Sequence, residues 1–224
     1  MLAVMGGAFV VLTMTPHLSG EFGIAIALMT FCIGASIAAA GMHRFYHHEQ
    51  FGMCNLITTG RLALTSALAG MTASPPELLS VHMWLAVGVA VVALALDGVD
   101  GWSARRAGLV SPFGARFDIE VDSFFALVLA LLAYRTGQAG PWIIALGLPR
   151  YLFVMAGFIW PQLTVGLPAS FSRKAVCVFQ IGVLVSVLVP VLPSSVITFS
   201  AALAAIALAW SFLRDLRWLI AAGR

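Results

Sequence analysis

Acidic residues are rare in this chain, and most of them lie in one segment. The protein has nine Asp and Glu residues, and five of them fall in residues 96–122, which read LDGVDGWSARRAGLVSPFGARFDIEVD. Asp97 and Asp100 are three residues apart, and Asp118 and Asp122 are four apart. Since residues at these spacings share one face of an α-helix, two helices joined by a short loop would bring four carboxylates together.

A cluster of four carboxylates predicts a counter-charge. Near hydrocarbon the four groups would repel one another and lose their hydration. A divalent cation supplies the counter-charge most simply, and all-oxygen ligation favours Mg²⁺, Mn²⁺ or Ca²⁺ over zinc. Glu120 lies about 200° around the helix from Asp118, so we exclude it from the predicted cluster. The alternative is that these acids pair with nearby arginines and cap helix ends.

The composition around the cluster is that of an integral membrane protein. Hydrophobic residues make up 61% of the chain and charged residues 9%, whereas a soluble domain carries roughly 25% charged residues. Apolar runs near 20 residues can cross the ~30 Å of hydrocarbon in a bilayer as helices, and they lack the alternation of barrel strands. The net charge of +3 needs no nucleic-acid partner and suits the anionic surface of membrane lipids.

Hydropathy predicts eight candidate spans, all helical. They cover approximately residues 2–15, 22–41, 56–72, 82–96, 113–134, 142–160, 174–192 and 195–213. We expect the fourth span to continue as a helix through the first aspartates. Ten of the twelve Lys and Arg residues fall on one side of the membrane in this arrangement. The positive-inside rule therefore predicts a multi-pass protein of the cytoplasmic membrane, with both termini and the acidic cluster facing the cytoplasm.

The acidic segment resembles a known family signature. Every fixed position of the CDP-alcohol phosphatidyltransferase signature is matched, as Asp97-x2-Asp100-Gly101-x2-Ala104-Arg105-x8-Gly114-x3-Asp118-x3-Asp122. The upstream segment NLITTGR is similar to the family's first-helix pattern, and SRKAVCVFQ partly matches the start of its fifth helix. The resemblance implies a six-helix catalytic domain over residues 43–224. Residues 1–42 would then be one or two extra N-terminal transmembrane helices.

The resemblance also implies a reaction and the residues that perform it. A CDP-linked lipid, expected to be CDP-diacylglycerol, donates its phosphatidyl group to a small polar alcohol, and CMP leaves. One or two Mg²⁺ or Mn²⁺ ions are expected on Asp97, Asp100, Asp118 and Asp122, with Asp122 also acting as the general base. The residues expected to bind the CDP group are Asp97, Asp100, Gly101, Ala104, Arg105, Gly114, Asp118, Thr58 and Arg61.

The acceptor is predicted from the remaining basic residues. Arg150 lies inside the predicted sixth span, where an unpaired cation is costly. Together with Arg173, Lys174 and Arg116, it is predicted to bind a phosphate on the acceptor. Glycerol 3-phosphate or inositol phosphate fits such a pocket better than serine or choline. The alternatives are that Arg150 pairs with a motif carboxylate and that Arg173 and Lys174 are ordinary positive-inside anchors.

Two other classes of function compete with the enzyme. A transporter or channel should spread its intramembrane acids through several spans, whereas here they lie together. A catalytically inactive scaffold should have lost at least one motif aspartate, and all four are present. The sequence leaves a homodimer open.

Overall fold

The computed structural model describes residues 2–45, 53–107, 112–160 and 170–222, with side chains described for 3–42, 55–98, 113–160 and 170–219, and helices connected by short turns make up most of these ranges. No strand occurs in these ranges, so the predicted all-α fold class is confirmed. In chain order the helices are α1 (Leu2–Met14), α2 (Glu21–Phe45), α3 (Met53–Met71), α4 (Pro76–Ala107), α5 (Pro112–Arg135), α6 (Ile144–Gly147), α7 (Pro149–Ile159), α8 (Phe171–Val187) and α9 (Ser194–Ala222).

Three described helices are long and apolar enough to cross a membrane by themselves. Their apolar portions are Glu21–Met42 in α2, Pro76–Gly98 in α4 and Ser194–Leu219 in α9, so the chain is a membrane protein. The first predicted span is helical but short. α1 has 13 residues and is therefore only about 20 Å long, because the chain turns into a 3-10 helix at Thr15–His17.

The sixth predicted span is a bent pair of helices rather than one straight helix. α6 ends at Gly147 and α7 begins at Pro149, and the two axes differ by 64°. Proline has no N–H to donate, and its ring clashes with the carbonyl group four residues earlier, so a straight helix cannot continue through it. Arg150 consequently lies in the first turn of α7, and not in the interior of a continuous span.

The chain divides into two compact units, one up to Val128 and one from Leu129 onward. In the first unit, α3 packs against α1, α2 and α4. α2 and α3 approach each other closely at two glycines: a Cβ atom added to Gly23 would lie 2.6 Å from the carbonyl oxygen of Gly70. Only residues without a side chain allow two helix backbones to come so close, which is a common device between transmembrane helices.

In the second unit, α8 and α9 pack against each other. Single side chains connect them to α6 and α7, which are called the bent pair below. The Gln180 amide of α8 donates a hydrogen bond to the carbonyl oxygen of Leu146 in α6. Phe153 of α7 and Phe212 of α9 meet edge to face, with their ring centroids 6.0 Å apart. The Leu146 carbonyl lies in the last turn of α6, so the Gln180 amide satisfies an oxygen at a helix end that would otherwise lack a partner.

We expect Gly70→Ala to lower the stability of the protein in detergent. The new methyl group would meet Cβ of Ala27 at 3.0 Å and the carbonyl carbon of Gly23 at 3.1 Å, and overpacking of this kind costs about 1–3 kcal/mol. Thermal unfolding followed by circular dichroism measures the effect. Gly88→Ala in α4 is the matched control, since no atom lies within 4 Å of its added Cβ; an equal loss in both variants would contradict the close contact as the cause.

Candidate active site

A buried arginine lies at the centre of three aspartates. The Arg61 side chain on α3 is 1% exposed, and its Nη1 lies 2.6 Å from Oδ1 of Asp118 and 3.2 Å from Oδ1 of Asp97. Its Nη2 donates to Oδ1 of Asp122, and its Nε donates to the carbonyl oxygen of Ala93 at 3.2 Å. One guanidinium therefore connects α3 to both α4 and α5.

Helix periodicity explains how the three carboxylates reach the same guanidinium. Ala93 and Asp97 are one turn apart on α4, and Asp118 and Asp122 are one turn apart on α5, so each pair shares a helix face. The guanidinium group has five N–H donors in a planar fork and can serve several acceptors at once. A lysine, with a single ammonium nitrogen, could not contact both neighbouring helices with the same geometry.

The charges within this group do not balance. Three carboxylates against one guanidinium leave a net charge of −2 among these described side chains (−3 + 1). One oxygen from each of Asp97, Asp118 and Asp122 lies within 4.8 Å of the others. Oδ1 of Asp97 is buried and accepts no hydrogen bond, although it is within ion-pair distance of Arg61. An oxygen-only ligand set with two excess negative charges fits a divalent cation such as Mg²⁺ or Mn²⁺.

Glu120 is not part of this group. It is exposed on α5, whereas Asp118 and Asp122 on the same helix are partly buried. The close group of acidic ligands found among the described residues contains Asp97, Asp118 and Asp122 without Glu120. The helix-face argument made from the sequence agrees with this arrangement.

The other residues predicted to bind the CDP group lie on the same helices. Thr58 is buried on α3, one turn before Arg61, and Gly114 is half-buried in the first turn of α5. The backbone of α4 is helical as far as Ala107, as expected from the sequence. The predicted site residues whose side chains lie outside the described residues are Asp100, Gly101, Ala104 and Arg105.

The predicted acceptor residues occur in both units. Arg116 is exposed on α5 in the first unit, and Arg150 is half-buried at the start of α7 in the second. Nη1 of Arg173 on α8 lies 3.1 Å from Oδ2 of Asp215 on α9, and the neighbouring Lys174 is exposed. Arg173 therefore already has a carboxylate partner within its own unit.

The second unit also contains an arginine that the sequence did not point to. Arg214 on α9 lies 3.0 Å from Oδ1 of Asp215, so two arginines share one carboxylate. Its guanidinium donates to the hydroxyl groups of Ser172 and Ser170 and lies 5.3 Å from the ring centre of Trp210. A signal was present, since Asp215 is the only acidic residue in the sequence after Asp122 and arginines flank it in RDLR.

The sequence also did not identify Arg61 as the counter-ion of the aspartates. Arg61 was predicted to bind the CDP group, whereas its guanidinium points at the motif carboxylates. The sequence left open that the acids pair with arginines. Among the described residues, Asp118 and Asp122 do pair with one, Arg61. The pairing does not exclude a metal, because one guanidinium neutralises only one of the three carboxylates.

Comparison with known proteins gives one match. The family model described as CDP-alcohol phosphatidyltransferase matches residues 51–216. No curated protein and no solved structure matches the chain. The matched segment contains Arg61 and all four motif aspartates, and it leaves α1 and α2 outside.

We expect Arg61→Met to destabilise the metal-free protein strongly. The change leaves three partly or fully buried carboxylates without their counter-charge, and breaking a buried pair in this way costs about 3–5 kcal/mol. The melting temperature in detergent with a chelator present measures the loss, and Arg217→Met, an exposed position on α9, is the control. Saturating Mn²⁺ should recover part of the loss. A variant as stable as wild type without metal would contradict the role of Arg61 as counter-ion.

Proposed function

The chain belongs to the CDP-alcohol phosphatidyltransferase family, and we propose that it transfers a phosphatidyl group from CDP-diacylglycerol to a phosphorylated small alcohol. This is a family of phosphotransferases, so the chain is a membrane enzyme of phospholipid synthesis that acts on a CDP-alcohol and an acceptor. The observation that carries the proposal is the cluster of Asp97, Asp118 and Asp122 around Arg61, with its two uncompensated negative charges.

The aspartate cluster is the proposed metal site. Asp97, Asp118 and Asp122 would hold a divalent ion, Mg²⁺ or Mn²⁺, and the sequence motif adds Asp100 as a fourth ligand. The ion, when bound, would neutralise charge on the CDP phosphates and on the departing CMP. Arg61 pairs directly with Asp118 and Asp122, and this supports a site whose ligands are in position before the substrate arrives.

Asp122 is the proposed general base. One of its oxygens, Oδ1, accepts the hydrogen bond from Arg61, and its second oxygen would accept the proton of the acceptor hydroxyl group. The hydroxyl oxygen then forms a bond to the phosphorus of the phosphatidyl group. The bond between that phosphorus and the oxygen of CMP breaks, and CMP leaves with the electron pair.

The proposed donor contacts follow the family signature. Arg105 would bind phosphate oxygens of the CDP group, for which a guanidinium fork is well suited. Gly101, Ala104 and Gly114 would let the nucleotide approach the helix backbone, since they have little or no side chain. Thr58, one helical turn before Arg61, would also contact the CDP group of the donor. The concentration of basic residues at one side supports a donor site that faces the cytoplasm.

The proposed acceptor carries a phosphate group. Arg150, Arg173 and Lys174 of the second unit would supply the cations for it, and Arg116 is the residue that the sequence adds from the first unit. Around Asp215, two arginines face one carboxylate (+2 − 1), so this group keeps a net positive charge, and the hydroxyl groups of Ser170 and Ser172 add hydrogen-bonding capacity. Arginine forms strong, charge-assisted hydrogen bonds with phosphate oxygens. Glycerol 3-phosphate and inositol phosphate are the two acceptors that we propose, with serine and choline as unphosphorylated alternatives.

The reaction can be tested with the purified protein, CDP-diacylglycerol and a panel of alcohols, with CMP release as the measurement. We expect release to require Mg²⁺ or Mn²⁺ and to be fastest with a phosphorylated alcohol. Asp118→Asn removes a ligand and a charge and should lower kcat by at least about 100-fold, because even the outer partners of metal ligands are worth about 10–100-fold.

Glu120→Gln is the matched control for this experiment. It removes one negative charge from the same helix at an exposed position, and it should retain nearly the wild-type rate. The proposed metal site would be contradicted by CMP release that persists in a chelator. Equal losses in Glu120→Gln and Asp118→Asn would also contradict it.

Arg150→Ala tests the acceptor pocket. Loss of a charge-assisted hydrogen bond to phosphate costs about 2 kcal/mol, so the KM for the phosphorylated acceptor should rise roughly tenfold or more. The KM for CDP-diacylglycerol should not change, and Arg135→Ala at the other end of α5 from the aspartates should change neither. Unchanged acceptor KM with reduced thermal stability would instead make Arg150 a structural residue.

A further inference from the structure

An apolar cluster connects the first two helices to the helices that carry the charged site. Its members are buried side chains from α1, α2, α3 and α5: Val11, Ala27, Phe31, Ala35, Leu62, Ala63, Phe113, Phe117 and Val121. α1 and α2 lie outside the segment that the family model matches, whereas α3 and α5 lie within it. The match therefore assigns no role to α1 and α2, although they complete this part of the core.

The apolar cluster and the aspartate cluster use neighbouring residues. Leu62 follows Arg61 on α3, and Phe117 precedes Asp118 on α5. Neighbouring residues of a helix point about 100° apart, so one side of each helix faces the apolar cluster while another faces the charged groups. Any shift of α3 or α5 against α2 would therefore also move the guanidinium or the carboxylates.

Two glycines of α2 lie directly against side chains of α3 and α5. A Cβ atom on Gly34 would lie 2.9 Å from both Cδ atoms of Leu62, and one on Gly41 would lie 3.0 Å from the Phe113 ring. Leu62 is 3% exposed and Phe113 is 5% exposed, so neither side chain can turn away into open space. Phe113 in turn stacks on Phe117, with the ring centroids 6.0 Å apart, next to Asp118.

We infer that α2, supported by α1, is a positioning platform for the aspartate cluster. In this role Gly34 and Gly41 are positioning residues: they set the places of α3 and α5, and through them the places of Arg61, Asp118 and Asp122. The inference rests on the proposed function, because it takes those aspartates as the ligands of a divalent ion. It adds a role in the reaction to helices that the catalytic motif does not include.

The effect of moving these helices should be large because metal sites tolerate little displacement. Mg²⁺ requires nearly ideal octahedral geometry, and ligand distances in functional sites are held within about 0.2 Å. A methyl group at 2.9 Å from a carbon atom must gain several tenths of an ångström to reach an ordinary contact of about 3.5 Å. A displacement of that size is enough to move one ligand out of range of the ion.

The test measures Mn²⁺ binding to the full-length protein in detergent, without substrate, from the electron paramagnetic resonance signal of free Mn²⁺. Gly34→Ala and Gly41→Ala should each weaken binding roughly tenfold, in line with the sensitivity of metal affinity to the groups that orient its ligands. Gly6→Ala on α1 is the matched control, because nothing lies within 4 Å of its added Cβ. All three changes raise helix propensity equally, so that effect cancels in the comparison.

A double variant, in which one side chain is enlarged and its neighbour is made smaller, separates an effect on the position of the aspartates from a general loss of folding. We call this pair of changes the size exchange. Gly34→Ala combined with Leu62→Val removes the δ-carbon atoms that the new methyl group meets, and it should return Mn²⁺ affinity to within about threefold of wild type if the two sites are coupled. Monodisperse elution from a sizing column is required of every variant. If Gly34→Ala fails this requirement, the milder Gly41→Ala carries the test.

The outcomes distinguish the inference from the function on which it rests. Wild-type affinity in well-folded Gly34→Ala and Gly41→Ala would overturn the positioning role and leave the metal site intact. Weakened binding that the size exchange does not restore would also overturn it, since the loss would not arise from the Gly34–Leu62 contact. Wild-type protein that binds Mn²⁺ no better than Asp118→Asn would overturn the proposed metal site and the inference together.

Discussion

A guanidinium buried among carboxylates has to be held in place by the helices around it. If either charged group moved out into water, the other would be left buried without a counter-charge. A buried ion pair adds little stability compared with apolar side chains of the same size. Removing only one of its members, however, lowers the stability strongly, because a buried charge is left without a partner. In this protein Arg61 is the member on which three helices converge. The packing of α3 against α1, α2 and α4 is therefore also what keeps the charged groups in place.

The same arrangement suits the proposed divalent cation better than a monovalent one. Arg61 cancels one of three negative charges, and the remaining two match the charge of Mg²⁺ or Mn²⁺. Arg61 also holds Asp118 and Asp122 close together, because its guanidinium donates a hydrogen bond to each of them. Preorganised charge of this kind is a major source of catalytic rate enhancement, since nothing has to be rearranged during the reaction.

The second unit shows a related use of charge at a different place. Arg173 and Arg214 approach one carboxylate, Asp215, from two helices, and this connects the first turn of α8 to the C-terminal half of α9. The bent pair α6 and α7 places Arg150 at the beginning of a helix, after Pro149 has interrupted the chain.

Local patterns in the sequence determined the fold class, most of the helices and the identity of the motif aspartates. Hydropathy and the three- and four-residue spacings depend only on neighbouring residues, so they can be read without knowing which helices touch. The same reasoning excluded Glu120, which is exposed in the structure. The sequence also contains Pro149, which divides the sixth span. Hydropathy did not predict the 64° bend there, because the residues on both sides of the proline are apolar.

Only the tertiary structure decided which residue balances the aspartates. Arg61 is 57 positions away from Asp118 in the chain, and several other arginines lie much closer to the motif in sequence. The choice follows from the packing of α3 between α1, α2 and α4, and that packing depends on glycines and apolar side chains distributed over the first 128 residues. A long side chain can reach any of several partners, so its partner is determined by which helices are neighbours, and spacing along the sequence does not contain that information.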